Sequence, residues 1–300
     1  MQPLPPETPY SPFEAGPHRM QLGLTSLPPD ELIEIDDRYP ADMAERRALF
    51  DGRRSDVLAA IPGTADACRE VLDRVADVLP RRFPGWFERD GGRLHNGLTN
   101  ETWDLTSPPH DPLEVAARLV QDDLCLIDVS SGAPVLAAAA LCAPTRWRLH
   151  EKLGLPLAEV HAPVPLYADT LSAPVDRFMR HLGHGKLTRR LNWSVSDDGA
   201  LFQLTGKHRD GHDPSITVDT VPDRLHLRVE RQTLSRLPRT GMVLFTIRVH
   251  STPIARAVPD GATAVRLLDA LRALPPAMAT YKSLPVFRDA LLAWLERRAA

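Results

Sequence analysis

Apolar positions along the chain change period. From Ala65 to Leu79, residues Ala67, Val71, Val75, Val78 and Leu79 recur at helical spacing, with Thr64 as an N-cap and Pro80 as a stop. Asp37 to Phe50 reads as another helix, with Met43, Arg47 and Phe50 near one face. Asp111-Pro112-Leu113-Glu114 predicts a helix start, with Asp at the cap, Pro at the first position and Glu at the third. That helix is expected to end near Asp122.

After Asp123 the period shortens to that of strands. Leu124–Val129 and Val135–Cys142 flank the turn sequence Ser130-Ser131-Gly132 and predict a hairpin. Leu191–Ser196 and Leu201–Leu204 flank Asp197-Asp198-Gly199 and predict a second. In the stretch 224–230, Leu225, Leu227 and Val229 face one way and His226, Arg228 and Glu230 the other. In the stretch 242–250, Val243, Phe245, Ile247 and Val249 share one face and Leu244, Thr246, Arg248 and His250 the other. Pro144 to Gly185 reads as short helices and Pro-bounded turns. The tail, about 263–299, is helical with a break at Pro275-Pro276. This order implies an α+β fold with an antiparallel sheet and a helical insert, in a single domain with long terminal extensions.

Composition narrows the function classes. A net charge of −3 over 300 residues gives no sign of a nucleic-acid or anionic-membrane partner. The longest apolar run, Val135 to Ala143, is too short for a membrane span, and the Pro-rich start is unlike a secretory signal. Cys68, Cys125 and Cys142 form no C-x-x-C, which argues against disulfides and a four-thiolate cluster and for a reducing cytoplasm. No G-x-G-x-x-G, P-loop, G-x-S-x-G or H-E-x-x-H is present.

The chemistry must then come from isolated side chains. His161, in Val160-His161-Ala162-Pro163-Val164-Pro165, sits in a loop stiffened by prolines, which suits a metal ligand and equally a histidine bonded to a carbonyl. Glu230-Arg231-Gln232 ends an alternating strand, where a charged cluster opens onto a cleft or forms a surface ion pair. Arg248, between Ile247 and Val249, needs a carboxylate, a carbonyl or an anion such as a haem propionate if it is buried. His208 and His212, with Asp210 and Asp213, offer a metal site or a polar loop, and His181 and His184 are further candidates.

Several segments together resemble one family. They are Met20-Gln21-Leu22-Gly23-Leu24, Leu119 to Leu126, Trp147-Arg148-Leu149, His161 to Pro165, Asn192-Trp193-Ser194, Glu230 to Leu234 with Arg236-Leu237-Pro238, Phe245-Thr246-Ile247-Arg248, and Tyr281-Lys282-Ser283-Leu284. In order and spacing they are similar to the haem-dependent oxidative N-demethylase α-subunit family, over nearly the whole chain. Ser283 stands where that family's pattern has glycine.

The resemblance implies a PAS-like sheet holding haem b, with the haem-binding core at 115–255, an N-terminal helical extension at 1–114 and C-terminal helices at 256–300. It also implies oxidation of a small secondary amine such as dimethylamine with O2, and NADPH electrons delivered by partner subunits carrying flavin and an iron–sulfur cluster. Within that expectation His161 is the iron ligand, and Asn192, Arg231 and Arg248 contact the cofactor. Glu230, Arg231 and Arg248 serve catalysis, and Glu230, Trp193 and Tyr167 receive the amine. The rival expectations are a haem-based gas or redox sensor without turnover, and a non-haem metal enzyme built on His208 and His212.

Overall fold

The computed structural model describes residues 2–8 and 10–300. Its strands are β1 (Thr25–Leu27), β2 (Leu58–Ala60), β3 (Phe87–Asp90), β4 (Arg93–Asn96), β5 (Glu101–Asp104), β6 (Asp123–Asp128), β7 (Val135–Ala140), β8 (Leu187–Ser196), β9 (His226–Arg236) and β10 (Val243–Pro253). Seven of them form one antiparallel sheet in the order β1-β8-β9-β10-β6-β7-β2, and β3-β4-β5 make a small separate sheet. The fold is mixed, with helices packed on a large antiparallel sheet.

The two faces of the sheet have different covers. On one face Leu124, Leu126, Ala138, Ala140 and Leu244 pack against the helices Tyr39–Gly52 and Ala65–Arg82. Further along the same face, Val195, Leu227 and Val229 pack against the C-terminal helices Gly261–Arg272 and Arg288–Ala299. On the other face Cys125, Ile127, Leu234, Val243 and Ile247 meet the short helices Leu157–Val160, Tyr167–Thr170 and Ser172–His181. The alternation read along β9 and β10 matches this division, because successive side chains of a strand point to opposite faces.

Four local expectations change. Leu201–Leu204 is not a strand; β8 pairs instead with β9, across the long connection 197–225. The cause is Gln203, whose carbonyl accepts from Arg146 N (2.8 Å) and whose side-chain amide donates to Asp198 O and Ala200 O. The segment is thereby drawn to 144–146, away from β8. The helix begun at Asp111 has the expected cap, Leu113 N donating to Asp111 Oδ1 at 3.0 Å, but it stops at Ala117. Pro80 lies inside its helix, which continues to Arg82. The N-terminal stretch also carries strands: β1 and β2 sit at the two edges of the main sheet.

Candidate functional site

Strand register builds the site. Across β8 and β9, Arg190 lies opposite Gln232, Asn192 opposite Glu230 and Ser194 opposite Arg228, all on the face covered by the 157–181 helices. Across β9 and β10, Leu234 lies opposite Phe245, Gln232 opposite Ile247 and Glu230 opposite Val249. A polar stripe therefore runs beside an apolar one. Residues 188–194 of β8 stay half-buried although helices stand over this face, and Phe245, Val160 and Val164 are half-buried against the same core. The half-buried layer between sheet and helices is the candidate cleft. Three buried polar atoms without partners border it, Thr188 Oγ1, Arg190 Nε and Tyr167 Oη; others lie elsewhere, among them Arg248 Nε and His250 Nε2 on the opposite face. Such atoms take a partner from a ligand, an ion or water.

Glu230 sits on the floor of this cleft. Its carboxylate accepts hydrogen bonds from Thr145 Oγ1 (2.7 Å), Gln232 Nε2 (2.8 Å) and Asn192 Nδ2 (3.2 Å). Burial pushes its pKa up, but these bonds and the nearby Arg228 charge outweigh burial and hold it below the ordinary carboxylate range. Arg228 is fixed by the carbonyls of Ala143, Ala200 and Leu201 at 2.8–2.9 Å and donates to Thr145 Oγ1 at 3.0 Å. Thr145 thus links the two charges.

His161 sits among the helices that cover the cleft. Its Nδ1 lies 2.8 Å from Leu157 O. A carbonyl only accepts, so Nδ1 carries the proton and Nε2 keeps its lone pair. Among the described residues Nε2 has no hydrogen-bond partner. Burial holds the imidazole below the usual histidine range, that is, neutral. The ring stacks on Tyr167, with centroids 4.5 Å apart and planes 12° from parallel. A histidine with one nitrogen bound to a carbonyl and the other free is the arrangement that metal-binding imidazoles use. His181 also bonds a backbone carbonyl, that of Arg177 (2.8 Å), but it lies exposed, as does His184.

The other expected site residues lie elsewhere. Arg231 and Arg248 face each other across β9 and β10 on the opposite side of the sheet. Arg248 is paired with Asp36 (2.9 Å) and Asp42 (3.1 Å), and Gln121 joins both carboxylates. Arg231 donates to Glu31 O (2.6 Å) and Leu32 O (3.3 Å), with Glu34 at 3.5 Å. Both guanidinium groups find their partners within the chain, on the face turned away from the cleft, so neither is placed to meet a propionate there. Trp193 also points to that other face, edge-on to Phe13 at 5.6 Å. His208 packs on Tyr281 with ring centroids 5.4 Å apart, and no cluster of three or more His, Cys, Asp or Glu suited to a metal occurs among the described residues.

Thr145 and Arg190 do not stand out in the sequence, and Gln232 does so only as a member of the Glu230-Arg231-Gln232 cluster. The period of two gives Arg190 and Gln232 away, since each shares strand parity with Asn192 or Glu230; nothing local marks Thr145. Among the described residues no helix is long and apolar enough to cross a membrane.

The chain matches the family described as haem-dependent oxidative N-demethylase, alpha subunit-like, over residues 23–292, and it belongs to that family. The residues present suit haem. A neutral imidazole with a free nitrogen, half-buried apolar walls and unpartnered cationic and hydroxyl groups are the donor set that an iron porphyrin needs.

Proposed function

We propose that the cleft holds haem b on a PAS-like sheet and that the chain oxidises a small secondary amine resembling dimethylamine. The net reaction takes amine, O2, NADPH and a proton to the demethylated amine, formaldehyde, NADP+ and water. Electrons arrive from partner subunits bearing flavin and an iron–sulfur cluster. The observation that carries this reading is that one sheet face and its covering helices carry both a neutral His161 with a free Nε2 and an ionised Glu230.

Haem, when bound, supplies an iron centre that accepts single electrons and activates O2. His161 holds the iron through Nε2, and the Leu157 carbonyl and the Tyr167 ring fix its direction. Glu230 attracts the ammonium form of the amine and orients its methyl group. Asn192, Gln232 and Thr145 keep that carboxylate ionised and aimed. Half-buried Val160, Val164 and Phe245 exclude water from the reacting carbon. The reading places the core at 115–255, flanked by the 1–114 and 256–300 extensions, in the cytoplasm. The free, buried Cys68, Cys125 and Cys142 suit a reducing compartment.

The test is reconstitution with haemin, followed by amine, NADPH and a reductase of the flavin and iron–sulfur type. A Soret band with amine-dependent formaldehyde release and O2 uptake supports the reading. Haem uptake without amine-dependent turnover replaces it with the sensor.

A further inference from the structure

Beyond Asn192 and Glu230, the cleft side of β8 collects positive charge. β1 pairs with β8 only as far as Arg189, so the outer edge of β8 from Arg190 onward has no strand beside it. Two loops close that edge. Lys282 stands at the strand edge, between the two faces: its Nζ donates to Trp193 O at 2.6 Å and also lies near the Trp193 ring on the opposite face. Lys207 lies over the Tyr281 ring and reaches its hydroxyl at 3.3 Å. Asp197 pins the 206–209 turn through Arg146 (2.6 Å) and Arg209 (2.5 Å). Ser283 joins the two loops, accepting from Arg209 N and donating to Gly206 O, each at 3.1 Å.

Arg190, Lys207 and Lys282 make no ion pair among the described residues, and Arg190 Nε is buried without a partner. All three feel one carboxylate, Glu230, and the two lysines also feel other cations nearby. Burial lowers the pKa of each, that of Lys282 to about 8. Glu230 is already committed to Thr145, Asn192 and Gln232. Arg228 and Lys152, close by, are held by backbone carbonyls. Three positive charges thus share one negative, already committed elsewhere, and an anion among them would find donors without a carboxylate of their own.

We infer that Arg190, Lys207 and Lys282 form a carboxylate site that takes the two propionates of haem. The inference rests on the haem reading above and deepens it, assigning to these residues the role that sequence alone gave to Arg231 and Arg248. Arg190 supplies a forked donor from the sheet and the lysines supply point charges from the loops. Arg190 shares its sheet face with the helices that carry His161, which sets the anion site and the iron ligand on the same side of the sheet.

Two probes separate the outcomes: haemin, and haemin dimethyl ester in detergent, whose propionates are uncharged. Wild-type protein is expected to bind haemin about tenfold or more tightly than the ester, by Soret titration. Arg190→Met, Lys207→Met and Lys282→Met are each expected to weaken haemin about tenfold and to leave ester affinity unchanged. Retained ester binding shows that the cleft is still folded. Equal wild-type affinity for haemin and ester overturns the propionate site alone. Variants that lose both ligands equally also overturn it. Wild-type protein that binds neither porphyrin overturns the haem reading and this site with it.

Discussion

Glu230 and Arg231 are neighbours in sequence but face opposite sides of the sheet: Glu230 accepts from Asn192 in the cleft, while Arg231 donates to Glu31 O and Leu32 O beneath the N-terminal segment. A strand separates adjacent charges this way because its side chains alternate. The protein therefore has two polar systems, one on each face of the sheet.

His161→Ala is expected to abolish the Soret band of reconstituted protein, and free imidazole is expected to restore it. The variant removes the free nitrogen while leaving the Leu157 carbonyl to water. An unchanged ferric and ferrous spectrum would move the iron ligand elsewhere.

Glu230→Gln places an amide where three donors converge. One donor must then face the new NH2, at a local cost of about 1–3 kcal/mol. Haem content should persist while the amine-induced change in the Soret band weakens by tenfold or more. Equal amine affinity in wild type and variant, by spectral titration, would remove Glu230 from substrate binding.

Arg248→Met should behave in the opposite way. It strands Asp36 and Asp42 as buried carboxylates, at a cost of about 3–5 kcal/mol. Urea unfolding is expected to show that loss, and haemin affinity of the folded fraction is expected to stay at the wild-type value. A selective loss of haemin affinity would return Arg248 to the cofactor site.

How much of this was legible beforehand depends on range. The alternation of β9 and β10 was readable because a period of two persists over a whole strand. That Arg248 required an anion was also readable, since it stands between Ile247 and Val249. The identity of that anion was not, because Asp36 lies 212 positions away and nothing local points to it. Haem chemistry was the nearer explanation, and the fold supplied a carboxylate instead. Likewise Leu201–Leu204 has the composition of a strand, but Gln203 and Arg146 decide its place. His161 stands out through its prolines; its carbonyl partner, Leu157, follows from the helical turn that places it four residues back.

Asp122 gives a pH-dependent prediction. It is fully buried and neither carboxylate oxygen has a partner. Burial raises its pKa to about 6, against the opposing charges of Arg231 and Arg248. In the unfolded chain it titrates near pH 3.9. The neutral form is the one the fold favours, so its stabilising effect is complete below about pH 4 and is lost as the pH rises through about 6. The difference amounts to about 3 kcal/mol, from roughly two pH units at about 1.4 kcal/mol each. Asp122→Asn should therefore stabilise the protein at pH 8 and have little effect at pH 4. Thermal unfolding at both pH values checks this; an equal effect at the two would refute it.

Ser283 occupies the left-handed region, with φ of 56°. A side chain there costs about 1–2 kcal/mol relative to glycine. Ser283→Ala keeps that cost and loses both hydroxyl bonds; Ser283→Gly loses the bonds but escapes the cost. Alanine is expected to destabilise more than glycine, by about 1 kcal/mol or more. Denaturant midpoints that rank the two the other way would show that the backbone here is unstrained.

The division of the polar groups between the two faces of the sheet also bears on how such a chain can diversify. Exchanges at Asn192, Gln232 or Arg190 change what the cleft admits, and none of them touches the Asp36–Arg248–Asp42 contacts that secure the fold. Descendants of one ancestor could thus acquire new substrates in small steps, each inheriting an intact scaffold, because the sheet keeps the record of stability on one side and the room for novelty on the other.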